Sequence, residues 1–162
     1  MKKFNLFIIL FLSIFFISSC AGYKPIFSTS NFQFNIEDFY IAGDKALGKK
    51  LYSRLYNLSR SNKNENSRSI LVSIDVKKNK EATVKDKTGK IIEYKITLDT
   101  KITVDDYLTD KIILNHNFNV SSSYTVQDQY SETVKLENKS IENLIDKIFQ
   151  NLIIKLSGNI SK

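Results

Sequence analysis

Residues 92–104 read Ile-Glu-Tyr-Lys-Ile-Thr-Leu-Asp-Thr-Lys-Ile-Thr-Val, and their alternation decides the fold class. Ile92, Tyr94, Ile96, Leu98, Ile102 and Val104 share one parity, while Glu93, Lys95, Thr97, Asp99, Lys101 and Thr103 share the other. Side chains of a strand point alternately to its two faces, so this strand has one dry face and one wet face. Its neighbours repeat the pattern. Ile70, Val72, Ile74 and Val76 alternate with polar residues, as do Ile112, Leu114, His116, Phe118 and Val120. A sheet that is apolar on one face only is predicted to be antiparallel and covered on one side.

Moving outward, Thr88-Gly89 predicts a turn after the charged stretch Lys78–Thr88, and residues 105–110 predict a hairpin connection with Tyr107 and Leu108 at its tip. Upstream, Phe32, Phe34 and Ile36 alternate, and then Phe39 and Ile41 alternate on the opposite parity. That switch predicts a strand bulged near Glu37-Asp38. Gly43-Asp44 then opens a helix, in which Leu47, Leu51, Leu55 and Leu58 fall on one face, widened by Ala46 and Tyr52. A polar loop, Ser59–Arg68, is expected to follow it.

At the other end Ile141, Leu144, Ile145, Ile148, Phe149, Leu152, Ile153 and Leu156 keep the three-and-four spacing of a helix, with Ser157-Gly158 as its stop. Each large side chain contributes roughly 1.5–3 kcal/mol when buried, so a helix this apolar must dock. The expected architecture is α+β in two layers: a four-stranded, largely antiparallel sheet with two helices packed on one face.

The amino terminus has a different character. Met1–Phe27 reads MKKFNLFIILFLSIFFISSCAGYKPIF: Lys2 and Lys3, an apolar run from Phe4 to Ile17, two serines, and the one cysteine of the chain, Cys20. Fourteen residues make a helix of about 21 Å, short of the roughly 30 Å of a bilayer core, so a cleaved signal fits better than a spanning anchor. Ile17-Ser18-Ser19-Cys20 resembles the lipobox of bacterial lipoproteins. The resemblance implies cleavage between Ser19 and Cys20, a diacylglycerol thioether on Cys20, and N-acylation of the new terminus. The expected organisation is a signal peptide over residues 1–19, an acylated tether over 20–30 and a single α+β domain over 31–162. Removing 19 of the 162 residues leaves 143, enough for one core. The formal charge falls from +7 to +5 with the loss of Lys2 and Lys3, a balance that suits an anionic partner or simply a lysine-rich composition. One cysteine excludes a disulfide framework.

Few residues carry chemistry. His116, the single histidine, falls on the dry face of a strand, where packing is its expected role. No Cys/His cluster offers a soft zinc site, and the five glycines form no phosphate loop. Asp105, Asp106 and Asp110 lack the glycine and terminal glutamate of an EF-hand and read as a solvated turn. Ser121-Ser122-Ser123 has no partner base in a recognisable motif. The lysines alternate with acids, unlike a nucleic-acid stripe. The chain is therefore expected not to be an enzyme, and to hold no metal and no cofactor beyond the lipid on Cys20. Candidate anion contacts are Lys95 and Lys101 on the wet face, with Lys85, Lys87 and Lys90 at the turn beside it. Tyr107 and Leu108 are candidate partner contacts.

The order of features resembles the lipopolysaccharide (LPS)-assembly lipoproteins, in the form seen in alphaproteobacteria. In that family the acylated cysteine is followed by a Gly-aromatic-x-Pro-aliphatic-aromatic segment. Cys20-Ala21-Gly22-Tyr23-Lys24-Pro25-Ile26-Phe27 is similar, with Ala21 as one extra residue. Ser122-Ser123-Tyr124 and Gln129-Tyr130-Ser131 are similar to elements the family shows before its last helix. The resemblance implies a non-enzymatic lipoprotein of the outer membrane that supports the LPS translocon β-barrel, sited on its periplasmic side or within its lumen. Only Cys20 carries over residue by residue. Tyr94 and Lys95 stand where the family tends to have a strand arginine. Ala21, in place of an aspartate after the cysteine, agrees with delivery to the outer membrane. An auxiliary ligand-binding lipoprotein of an envelope ABC transporter is the alternative expectation.

Overall fold

The computed structural model describes residues 33–61 and 67–160, all within one compact unit spanning Asn31–Lys162. The expected signal peptide (residues 1–19, including Ser19), the expected tether from Cys20, and Phe32 lie outside the described residues. In order, the elements are β1 (Phe34–Gly43), α1 (Lys45–Ser61), β2 (Arg68–Lys85), β3 (Ile91–Asp106), β4 (Ile112–Thr125) and α2 (Tyr130–Ile160). The four strands form one sheet in the order β1-β2-β3-β4. β2, β3 and β4 are an antiparallel meander, whereas β1 runs parallel to β2 because a helix returns the chain between them. The sheet is thus mixed but largely antiparallel, and the two helices cover one face.

The bulge in β1 falls where the parity switch predicts it: the register with β2 slips between Ile36 and Asp38. Phe34 and Ile36 before it, and Ile41 after it, all meet the helices' side of the sheet. Gly43 then turns the chain with φ +69°, and a Cβ there would lie 2.1 Å from the Val76 carbonyl oxygen. Asp44 caps α1, its Oδ1 accepting from the amides of Ala46 and Leu47 at 3.1 Å each. Leu47, Leu51 and Leu55 are buried beneath it, and Gly48 lets the helix approach Ile41. Ala46, expected on the apolar face, is exposed.

The core lies between the sheet's dry face and the helices: Ile70, Val72, Ile74, Val76, Ile96, Leu98, Ile102 and Val104 below, Ile141, Leu144, Ile145, Ile148, Leu152, Ile153 and Leu156 above. Thr100, also on the dry parity, is fully buried with a hydroxyl that has no hydrogen-bond partner among the described residues.

Four boundaries differ from the sequence expectation. Most of the charged stretch after Lys78 is strand, since β2 pairs with β3 as far as Lys85 and only Asp86–Lys90 turns. Cross-strand hydrogen bonds carry that region without an apolar stripe. α1 runs on to Ser61, with Ser59 buried and its hydroxyl donating to the Tyr56 carbonyl at 2.8 Å. The last helix begins at Tyr130, where only sparse apolar positions mark its first turns, and it passes through Ser157-Gly158 to Ile160. Its final turn is held because Asn159 Nδ2 donates to the Ile113 carbonyl at 2.9 Å. Finally, a register slip between Val104 and Asp105 turns Ile112 outward, and Ile92 is also exposed, although both share the dry parity.

Candidate functional site

Within β3, the structure spreads the two wet-face lysines among compensating groups. Lys95 stands opposite Glu81 of β2, with Nζ 3.6 Å from its carboxylate. Lys101 stands opposite Asp75, and Lys77 opposite Asp99, around a shallow cleft that Asn117 completes. Asn119 Nδ2 donates to Asp99. This face is a ladder of alternating charge with no concentrated positive field. Lys85, Lys87 and Lys90 gather at the β2–β3 turn, where Asp86 accepts from the Thr88 hydroxyl, the Thr88 amide and the Lys90 amide. The Thr88 hydroxyl bond leads, desolvation opposes it, and the two amide bonds add to it, so the Asp86 carboxyl is held below its ordinary range. The five candidate lysines therefore fall into two groups. Lys101 is ten residues along β3 from Ile91, about 33 Å from the turn.

The β3–β4 turn is built on Asp106. Its Oδ2 accepts from Arg68 Nε at 2.7 Å, and its Oδ1 accepts from the amides of Leu108 and Thr109 and from the Thr109 hydroxyl. The Arg68 bond and then the Thr109 hydroxyl lower its carboxyl to about 2, desolvation opposing them. Asp110, at φ 54°, closes the turn. Asp106 is thus committed to shaping the loop, and among the described residues no group of three or more His, Cys, Asp or Glu is placed to hold a metal ion. Tyr107 and Leu108 project from this turn, 49% and 82% exposed, with Ile112 beside them at 66%. His116 is half-buried and meets Phe118 edge to face at 4.7 Å. Ser122 shares its face of β4 but is six residues away, about 20 Å along the strand.

One cluster lies outside the residues singled out from the sequence. Lys80 continues the dry parity of β2 beyond Val76, past the end of its pairing with β1. Its Nζ donates to Glu137 Oε2 of α2 at 2.6 Å, and the Tyr124 hydroxyl donates to the same oxygen at 2.8 Å. The ammonium lies 4.4 Å from the Tyr94 ring centroid and 5.6 Å from that of Tyr124. Desolvation opposes the charge on Lys80, but the bonds to Glu137 and Tyr124 outweigh it and hold the ammonium well above the lysine range. Glu137 is likewise depressed despite desolvation, and the Tyr124 phenol is raised, chiefly by desolvation. A cleft of about 270 Å³ beside the cluster is lined in part by Gln127, Asp128 and Tyr130. Parity could have flagged Lys80 itself, a lysine in a run of dry positions, though not the partners that meet it.

Aromatic residues also line the β1 edge. Phe39 stacks on Tyr52 at 4.0 Å, Tyr52 on Tyr56 at 5.8 Å, and Arg60 lies 5.8 Å from the Tyr56 ring. Across the helices, Lys50 and Arg54 of α1 pair with Glu142 and Asp146 of α2. Among the described residues no helix is long and apolar enough to cross a membrane.

No family model and no curated protein matches the chain by sequence. Solved structures do match by shape. A protein of Caulobacter crescentus CB15 described as a lipoprotein superposes with a TM-score of 0.57 at 13% identity, covering 76% of this chain and 88% of its own. A minor lipoprotein from Acinetobacter baumannii gives 0.54 at 15% identity, covering 80% and 92%. Lipoprotein B from Nitrosomonas europaea gives 0.53 at 14% identity, covering 82% and 88%. The folded domain of this chain has the fold of these bacterial lipoproteins.

Proposed function

We propose that the chain is a non-enzymatic outer-membrane lipoprotein that supports assembly and function of the β-barrel LPS translocon. Cys20 is its acylated anchor. One conjunction carries the reading: the Ile17-Ser18-Ser19-Cys20 motif stands directly ahead of a domain whose fold is that of bacterial lipoproteins. The segment Gly22–Phe27, similar to the LPS-assembly family, gives the finer assignment. The physical role is that of a wedge. The helices seal the dry face, so the charge ladder, the β2–β3 turn and the aromatic edge are free to meet a larger partner.

The test is co-purification of the full-length protein in mild detergent, combined with depletion in its own host. The expected result is recovery of a barrel protein of much higher mass, and less folded barrel after depletion. Recovery of the lipoprotein alone, with normal barrel assembly in the depleted strain, overturns the proposal. Recovery of an ATP-binding transporter subunit instead would support the role of transporter auxiliary.

A further inference from the structure

We infer that the β3–β4 turn is a second membrane contact: Tyr107, Leu108 and Ile112 rest in the phospholipid interface beside the acyl anchor. The inference relies on the anchor assigned above. Its basis is where the chain from Cys20 joins the domain. Gln33 accepts the Arg68 amide at 3.3 Å, Ser69 pairs with Asn35, and the Tyr107 amide donates to the Ser69 carbonyl at 3.0 Å. Neighbouring strands lie about 4.8 Å apart, which puts the turn within roughly 10 Å of the point where the tether arrives.

The opposite end is remote. From Arg68 to Lys85 the strand advances about 55 Å. The thirteen steps from Cys20 to Gln33 span at most roughly 45 Å even fully extended, less than the advance of that strand. An anchor in the bilayer therefore ties the β3–β4 end of the domain to the membrane more closely than the β2–β3 end.

Composition agrees with that polarity. The near turn carries an exposed tyrosine, leucine and isoleucine, the mixture of ring and aliphatic groups that partitions into an interface. The distant turn, Asp86–Lys90, has no apolar residue, although Val84 and Ile92 flank it at about 40% exposure. Asp106 ties down the near turn with four hydrogen bonds, so its apolar groups are presented with little ordering left to lose.

The chain has no tryptophan, so a Leu108→Trp protein carries a single indole reporter at the tip, and Lys87→Trp reports the distant turn. Each full-length acylated protein is placed in phosphatidylethanolamine–phosphatidylglycerol vesicles with or without bromine on the acyl chains. For Leu108→Trp, blue-shifted emission and loss of about half of it to bromine are expected, as for an interfacial indole. For Lys87→Trp little change is expected, and Tyr107→Trp repeats the measurement if the first variant fails to fold. An intact mass showing the acyl chains, with vesicle flotation but water-like unquenched emission at the tip, overturns this inference and leaves the anchor standing. Blue-shifted emission without bromine quenching means that protein covers the tip, and also overturns it. A bare Cys20 thiol with no flotation overturns both.

Discussion

At the scale of single residues, two polar groups set measurable limits on stability. The Thr100 hydroxyl is fully buried between Leu98 and Ile102 with no partner among the described residues, a state that costs about 1–3 kcal/mol. Thr100→Val keeps the β-branched shape and removes the orphan group. We expect it to raise the unfolding free energy by about 1 kcal/mol, read as a higher urea midpoint at unchanged slope. Asp106 has the opposite role. Its carboxyl is lowered to about 2 in the folded chain, first by Arg68, against about 3.9 when unfolded. Its stabilisation is therefore complete above about pH 4 and disappears as pH falls through about 4 to 2. Acid titration of the wild type should show a stability loss in that window. Asp106→Asn should start lower at pH 7 and show a shallower acid slope; an unchanged slope would mean that Arg68 does not hold the carboxylate.

Among the elements, glycine and packing have unequal importance. Gly43 joins β1 to α1 at φ +69°, and an added methyl would meet the Val76 carbonyl at 2.1 Å, so backbone must move. Gly43→Ala should destabilise by more than the roughly 1 kcal/mol that left-handed strain alone costs, with thermal unfolding as the readout. Gly89→Ala, with open space around its Cβ, should cost only that strain. On α2, Ile148 is fully buried over the sheet while Glu142 is a half-buried partner of Lys50 and Arg54. Ile148→Ala should cost about 2–5 kcal/mol and Glu142→Gln less than 1. Equal losses in chemical denaturation would show that the helices are held to each other more than to the core.

For the whole molecule, the proposed anchor and the fold are expected to be separable. Among the described residues the core runs from Phe34 to Leu156 and is closed by α1 and α2, so Cys20→Ala should leave the circular dichroism and melting of the domain unchanged. Cell fractionation should then find the variant released from membranes or retained with its leader uncleaved. Unchanged membrane attachment of a processed Cys20→Ala chain would show that attachment comes from something other than lipid on Cys20.

Much of the domain was legible in the sequence because burial on one face writes a period into it. The 2.0 period of Ile92–Val104, the parity switch around Glu37-Asp38 and the 3.6 period of Leu47–Leu58 each correspond to an observed strand, bulge or helix. Where burial is sparse the period fades, so β2 beyond Lys78 and the first turns of α2 carry no periodic signal of regular structure. The candidate lysines illustrate a second limit. Their positions could be read, but not that Lys95 faces Glu81 and Lys101 faces Asp75, because cross-strand neighbours depend on register.

By itself the sequence determined the class of domain, the faces of its strands and the motif at Cys20, all of them consequences of local order along one chain. Only the tertiary structure decided that Lys80, Tyr94, Tyr124 and Glu137 meet, that β1 lies parallel to β2, and that the Tyr107–Leu108 turn sits beside the start of β1. Those facts join residues up to 72 positions apart in the chain, Asn35 to Tyr107. Packing and strand register alone bring such residues together.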